Sequence, residues 1–502
     1  MLRKSLFGLV ASVSLAPAVI FGENAGTYPV AGINSGMIRG VQRQGVNAFL
    51  GIPYAEPPVG ELRWRPPVAK LAWNGTRDAT RFGDHCLQPG YAADKQESED
   101  CLFLNVYTPA ATSQSPRPVM VWIHGGANTG GAGDWYDPAP LIKSGGVVVV
   151  TLNYRLNVFG FLAHPALDHE GHPAANYGLL DQQLALKWVR DNMGRFGGNP
   201  RNVTIFGQSA GGTNVLSQLA SPGSRGLFTR AIVQSGAWQL DTPSLEDGET
   251  LGIAFAQRLG CKTDVTVCLR TMPALKLLLA AGDVDTPSGA FYQTVVDGNV
   301  LPMTKASAFA SGQFNRVPVL IGSNSDDGHY EIAPGMTTEG FQSWVITYAP
   351  SFKRTPEQIF ATYPLREFRS PTEAARAIVG DFDFACSTTR AAKLLSVWTA
   401  TYRYEFGDAP PGSRGADHGD ELKYFFRQPK SAKSSSLTPD QRQLKKVMQM
   451  TWTGFATTGS PLSALLPTWP KASDGLVEFI TPHSIVLDDA AFSQKHRCQF
   501  WE

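Results

Sequence analysis

The sequence predicts an α/β protein in which a large, mostly parallel central sheet is flanked by helices within a single large domain. Three observations predict it. Short β-branched runs recur along the 502 residues, among them "PVMVWIHGG", "GVVVVTLNYR", "NVTIFG", "RAIVQSGA" and "VPVLIGSNSDD". Such continuous apolar runs fit strands buried on both faces, as in a parallel sheet. Between the second and third lies "GLLDQQLALKWVRDNMGRF", where Leu180, Leu184 and Trp188 share one helical stripe, as on an amphipathic helix packed on a sheet. Composition nowhere shifts as it would at a linker, and no internal repeat appears. One large domain is therefore expected rather than the two or three that length alone suggests.

Taken from the N-terminus, residues 1–22 read as a secretory signal peptide. Arg3 and Lys4 precede an apolar stretch from Leu6 to Phe21, small residues follow, and polar sequence begins at Glu23. Cleavage is expected between Ala18 and Ala25, leaving 26–502 as the mature domain. Pro17 interrupts the run, which falls short of the ~20 residues of a membrane span. No later segment is long and apolar enough, so no stable membrane anchoring is expected. Net charge is +1, so the bulk electrostatics call for neither nucleic acid nor an anionic surface. The basic run "RQLKKV" (Arg442–Val447) reads as a solvated helix face, and "PKSAKSSSLTPD" (Pro429–Asp440) as one exposed loop. The six cysteines are Cys86, Cys101, Cys261, Cys268, Cys386 and Cys498. None forms a C-x-x-C pair, and no histidine stands beside them as a zinc ligand would. An even number in an exported chain reads as disulfides, every pairing remaining open. Asn74 in "NGT" and Asn202 in "NVT" are glycosylation sequons. Asn202 leads into a buried strand, which makes Asn74 the better acceptor.

The chemistry gathers where strands end. "VWIHGGAN" is a glycine-rich turn after a strand, of the kind that offers backbone N–H groups to an oxyanion. Downstream, strand "VTIF", then Gly207-Gln208-Ser209-Ala210-Gly211, then the helix "GTNVLSQLA" form a nucleophile elbow. Its glycines permit a turn too tight for bulky neighbours, and the serine is lifted clear of the sheet in a strained conformation. A serine hydroxyl needs a base within hydrogen-bond reach. The order serine, acid, histidine expected after such an elbow restricts the base to His329, His418, His483 or His496. His418, in the glycine-flanked loop "SRGADHGDELKYFF" after the strand-like "TYRYEF", is the preferred choice. For the acid, "VPVLIGSNSDDGHY" supplies Asp326 and Asp327 just beyond a buried strand, although paired carboxylates also suit a merely solvated turn. Trp238, just after "VQSGA", either lines an acyl pocket or fills the core, the latter being the ordinary role of a tryptophan there.

With "FLGIPYAEPPVGELRWRPP", "SEDCLFLNVYTP", "NYRLNVFGFL", "FGQSAGG", "GSNSDDG", "DHGDEL" and "FATTGSP" added to these motifs, the chain resembles the type-B carboxylesterase/lipase family along essentially its whole mature length. That family of α/β-hydrolases includes cholinesterases and the non-catalytic neuroligins. The resemblance implies the α/β-hydrolase fold and a triad of Ser209, Asp327 and His418. It also assigns oxyanion donors to the backbone of Gly126, Ala127 and Ala210. It pairs Cys86 with Cys101, Cys261 with Cys268 and Cys386 with Cys498. Arg63 with Glu99 and Arg155 with Asp181 match the family's structural ion pairs. No metal or organic cofactor is implied, and the expected partner is a small-molecule ester. Three positions depart from the family pattern. The acid is aspartate where glutamate is usual, Gln208 precedes the nucleophile where glutamate is common, and Ala127 replaces a common third glycine.

The first cysteine pair encloses only "LQPGYAADKQESED", with no tryptophan and little apolar surface. In cholinesterases and lid-bearing lipases the corresponding loop is long and carries the cation-binding tryptophan or the lid. The expectation is therefore a secreted general carboxylesterase. A lipase with its lid elsewhere, and a specialist for one natural aromatic, feruloyl-type or polyketide ester, are the alternatives. A non-catalytic adhesion protein is disfavoured because all three triad positions are filled.

Overall fold

Eleven strands make one sheet, and its register explains where the reactive residues meet. In chain order they are β1 (Val41–Arg43), β2 (Val46–Pro53), β3 (Phe103–Pro109), β4 (Arg117–Ile123), β5 (Val148–Leu152) and β6 (Gly198–Gln208). Then follow β7 (Arg230–Gln234), β8 (Val319–Asn324), β9 (Thr401–Phe406), β10 (Leu476–Ile480) and β11 (Ile485–Asp488). Across the sheet the order is β11-β10-β9-β8-β7-β6-β4-β5-β3-β2-β1. The run from β5 to β10 is parallel, and antiparallel strands close both edges. This is a computed structural model, and it describes residues 28–502 apart from 90–96, 169, 173–174, 283–292, 329–331, 333, 411, 428–436, 464 and 467. The expected leader, His329 and the middle of the Cys86–Cys101 loop lie outside the described residues.

The β-branched runs became strands because both faces of the sheet are covered. Every residue of β5 and β8 is buried. On one face Val119, Val121 and Ile123 of β4 join Val148, Val150, Val203 and Ile205 in the larger core cluster. On the other, Met120 and Trp122 pack with Phe206, Phe426 and the helix α3 (Pro439–Thr458), through its Met448, Trp452 and Phe455. Helix α1 (Tyr177–Asn192) carries the chain from β5 past β4 to β6, and α2 (Ala210–Ala220) carries it from β6 to β7. β4 therefore lies between β5 and β6, the point where the strand order reverses and where such sheets place their sites. The last register pair of β6 and β4 is Gly207 with Ile123. The elbow and the glycine turn thus leave the sheet side by side.

Two expectations need correcting. Leu180 and Leu184 are only half-buried, and Lys187, Arg190 and Asp191 are the only exposed residues of α1. The helix is enclosed by the sheet, by α2 and by the short helix Asn157–Phe161, so its buried surface runs nearly all round and the four-spaced stripe was one margin of it. Its buried polar residue Asp181 is matched by Arg155, whose Nε and Nη2 donate to the carboxylate at 2.8 and 2.7 Å. The segment expected as one loop ends earlier than Asp440. Thr438 caps α3 by accepting from the Gln441 N–H at 3.1 Å, so Pro439 and Asp440 are already helical. Residues 429–436 lie outside the described residues.

The other pairings are as expected. Disulfides join Cys86 to Cys101, Cys261 to Cys268 and Cys386 to Cys498. Arg63 donates to both oxygens of Glu99, at 2.7 and 2.6 Å. Trp238 is half-buried against a satellite cluster of the core. Asn74 is exposed, whereas the Asn202 side-chain nitrogen donates to the Thr457 carbonyl at 3.3 Å. Among the described residues, no helix is long and apolar enough to cross a membrane.

Candidate active site

Ser209 occupies the corner between β6 and α2 with φ 58° and ψ −131°, a left-handed conformation for a residue with a side chain. Such strain costs ~1–3 kcal/mol and persists only where the surroundings hold it. Here the Ser209 N–H donates to Gln234 O at 2.9 Å, and its carbonyl accepts the Thr213 N–H at 3.0 Å. A Cβ on Gly207 would lie 2.6 Å from the Gly211 backbone and 2.7 Å from Ile123 O, and one on Gly211 would lie closer still to Ile123 O. Both elbow glycines are therefore required by the contact between the elbow and the end of β4.

Asp327 and His418 arrive from the ends of β8 and β9. Asp327 is buried and accepts from the Asn324 N–H through Oδ2 at 2.7 Å, while Oδ1 lies 2.7 Å from His418 Nδ1. Gly328 is pressed against the backbone of Arg376 and Gly380, which fixes the turn holding Asp327. Asp326 points elsewhere, toward Arg414 at 3.7 Å. The shorter aspartate thus reaches the histidine at full hydrogen-bond length. The His418 loop is tied down by Asn324 Nδ2, which donates to Asp417 O at 2.6 Å, and by Ser325 Oγ, which accepts from the Ala416 N–H at 2.9 Å. Of the other histidines, His483 is exposed, and His496 lies buried between Asp381 and Glu405, at 2.7 and 2.8 Å.

Gln208 has a place that sequence reasoning missed. Its Nε2 lies 3.0 Å from His418 Nε2. With the Nδ1 proton given to Asp327, Nε2 is a bare acceptor, and an amide N–H suits it. A carboxylate at this position would instead draw a proton onto Nε2. Gln208 thus presents a hydrogen-bond donor, and no charge, to the ring nitrogen that faces it.

Glu421 was also missed, although it stands three residues beyond His418. It is fully buried, accepting from Gln234 Nε2 at 3.1 Å and from Asn324 Nδ2 at 2.7 Å. Burial is the main cause that lifts its carboxyl to about 7, the Asn324 bond opposes this, and the Asp327 charge adds to it. Between its ordinary 4.5 and about 7 it binds more proton folded than unfolded. Its contribution to stability therefore falls as pH rises through that window. Urea unfolding midpoints on either side of the window should drop more in the wild type than in Glu421→Gln. An equal drop would mean that this carboxyl is not held protonated.

The turn after β4 lies directly against the serine, since a Cβ on Gly125 would sit 3.0 Å from Ser209 Cβ. Gly126 and Ala127 take φ 106° and 54° and are exposed. The N–H groups of Gly126, Ala127 and Ala210 have no acceptor among the described residues. Ser209, Asp327, His418 and these three donors are thus brought to one edge of the sheet. Among the described residues no cluster of acidic, histidine or cysteine side chains has the form of a metal site.

Comparison with known proteins agrees with this architecture. Residues 27–501 match the Carboxylesterase family. The chain is 34% identical over 494 residues to the para-nitrobenzyl esterase of Bacillus subtilis (strain 168), covering 94% of this chain and 99% of that one. It is 36% identical over 462 residues to a fumonisin B1 esterase of Sphingopyxis macrogoltabida, covering 87% and 83% of the two chains. It is likewise 36% identical over 489 residues to an acylcarnitine hydrolase of Mus musculus, covering 88% and 85%. Among solved structures, a carboxylesterase of Geobacillus stearothermophilus superposes with a TM-score of 0.82 at 33% identity, covering 94% of this chain and 100% of that one.

Proposed function

The chain belongs to the Carboxylesterase family and is a carboxylic ester hydrolase with the α/β-hydrolase fold, and from that premise we propose that it is an exported serine carboxylesterase working through Ser209, His418 and Asp327. The observation that carries this reading is the convergence of a strained Ser209 with three backbone N–H groups that have no acceptor among the described residues and a histidine held by a buried carboxylate.

In this mechanism His418 Nε2 leaves Gln208 and takes the Ser209 proton as the hydroxyl oxygen attacks the ester carbonyl. Asp327 keeps the other ring proton on Nδ1 and stabilises the imidazolium. The carbonyl oxygen, now negative, is received by the Gly126, Ala127 and Ala210 N–H groups. Collapse of the tetrahedral adduct breaks the bond to the alkoxide, which leaves with the proton from His418. Water then repeats the sequence on the acyl-enzyme and releases the acid. Export is supported by the leader-like first 22 residues and by three disulfides, which persist in oxidising compartments. Asn74, exposed as it is, is the proposed site of glycosylation.

The relatives' names cite different esters, and the short Cys86–Cys101 segment argues against a lid opening on lipid. A preference for short, soluble acyl chains follows. Steady-state hydrolysis of p-nitrophenyl acetate, butyrate and palmitate should show activity on the first two and a steep fall on the third. A rise toward emulsified palmitate would make the protein a lipase. Inertness on all three, with Ser209 still labelled by a phosphonate, would point to one specialised natural ester.

A further inference from the structure

His124, the residue before the glycine turn, is wholly buried and has no place in the triad. Its Nδ1 lies 2.9 Å from Gly125 O, and its ring stacks on Tyr154 with centroids 4.4 Å apart. Nε2 has no hydrogen-bond partner among the described residues. Burial pushes the imidazole down to about 4, so the ring is neutral at ordinary pH. Its single proton therefore sits on Nδ1, where an acceptor is within reach, and is donated to the Gly125 carbonyl.

That carbonyl and the Gly126 N–H belong to one planar trans peptide and point in opposite directions. Fixing the oxygen therefore aims the N–H, and polarising the oxygen makes the N–H a better donor. Each of the three oxyanion donors has its partner carbonyl held by some device. For the Ala210 N–H it is the Ser209 carbonyl, which accepts from the first turn of α2 at Thr213 N, 3.0 Å away. For the Ala127 N–H it is the Gly126 carbonyl, which accepts from Thr129 N at 2.9 Å and Gly130 N at 3.0 Å. Thr213 Oγ1 and Thr129 Oγ1 add to these backbone donors, at 3.4 and 3.1 Å, but only for Gly126 is the device, among the described residues, a side chain alone. Gly126 itself, lacking a Cβ and sitting at φ 106°, does little to restrict rotation of this peptide. Gly131 covers the bond so closely that a Cβ there would lie 2.5 Å from Gly125 O and nearer still to the imidazole.

We propose that His124 is a positioning residue of the oxyanion hole, holding the Gly125–Gly126 peptide through Nδ1–H so that the Gly126 N–H faces the developing charge. This rests on the reading of Gly126 as an oxyanion donor. His124→Phe keeps a ring against Tyr154 and removes the donor, whereas His124→Asn returns an N–H near the Nδ1 position. The readouts are kcat and KM for p-nitrophenyl butyrate, and the affinity of a trifluoromethyl ketone, which adds to Ser209 and leaves an oxyanion. His124→Phe should lower kcat by ~10²-fold and weaken the ketone by a similar factor, with KM little changed, as for loss of one such donor. His124→Asn should recover most of both. Should the phenylalanine variant fail to fold, His124→Gln, whose donor falls near Nε2, should lie well below His124→Asn in both readouts. Equal behaviour of the variants, whether all active or all impaired, overturns the proposal. Activity surviving in Ser209→Ala would overturn the underlying reading instead. A dead Ser209→Ala beside a fully active His124→Phe would overturn only the role of His124.

Discussion

Replacing Ser209 by alanine is expected to lower kcat on p-nitrophenyl butyrate by ~10⁶-fold while KM and the unfolding temperature hardly move, in line with loss of a nucleophile that acts as one unit with its base. Ser209 is 8% exposed, and both its backbone bonds, to Gln234 O and from Thr213 N, are made by main-chain atoms that alanine keeps. The strained φ of 58° is imposed by those bonds and by the packed glycines, so alanine inherits the same backbone. What disappears is the one atom able to form an acyl-enzyme. The N–H groups of Gly126, Ala127 and Ala210 stay in place, and with binding they should leave a residual ~10³–10⁴-fold advantage over water. A phosphonate should label the wild type and not the variant. A variant retaining a tenth of wild-type activity would show that another group carries the chemistry, and the proposed mechanism would fall with it.

Several of these residues were legible in the sequence because local rules confine them tightly. A serine between glycines, after an apolar run and before a helix, has few other uses. The β-branched runs around it became strands for the same reason, being buried on both faces. The carboxylate that faces His418 was less legible, since Asp326 and Asp327 are adjacent and equally suited to a turn. What separates them is a contact between residues far apart in the chain, since Asp327 meets His418 at 2.7 Å whereas Asp326 faces Arg414. Glu421 and His124 were quoted within motifs and still missed, because their roles depend on burial. Full burial turns an ordinary glutamate into a carboxyl that titrates near neutrality, and an ordinary histidine into a neutral donor. The stripe on α1 misled for a related reason. Spacing marks a helix's apolar side, but only the packing of neighbours reveals that the helix is covered nearly all round.

Replacement of Asp327, the carboxylate that faces His418, carries the second large effect. Asp327→Asn should lower kcat by ~10⁴-fold, as when an aspartate behind a catalytic imidazole becomes an amide. Both carboxylate oxygens are engaged by donors, Oδ1 by His418 Nδ1–H at 2.7 Å and Oδ2 by the Asn324 N–H at 2.7 Å. An amide has only one oxygen to offer. If that oxygen faces Asn324, the NH₂ meets Nδ1, the imidazole is driven to carry its proton on Nε2, and it can no longer take the Ser209 proton. If the oxygen faces His418, two donors oppose each other in a buried turn, at a cost of ~1–3 kcal/mol. Chemistry or stability must suffer, and the two are separable by measuring kcat beside a thermal unfolding midpoint. Asp327→Glu tests the remaining question of length. His418 already sits at full hydrogen-bond contact with the shorter acid, so the added methylene should push the ring off Gln208 and the serine, and cost activity. An Asp327→Asn variant within tenfold of wild type in kcat, with an unchanged midpoint, would mean that this carboxylate does not orient His418.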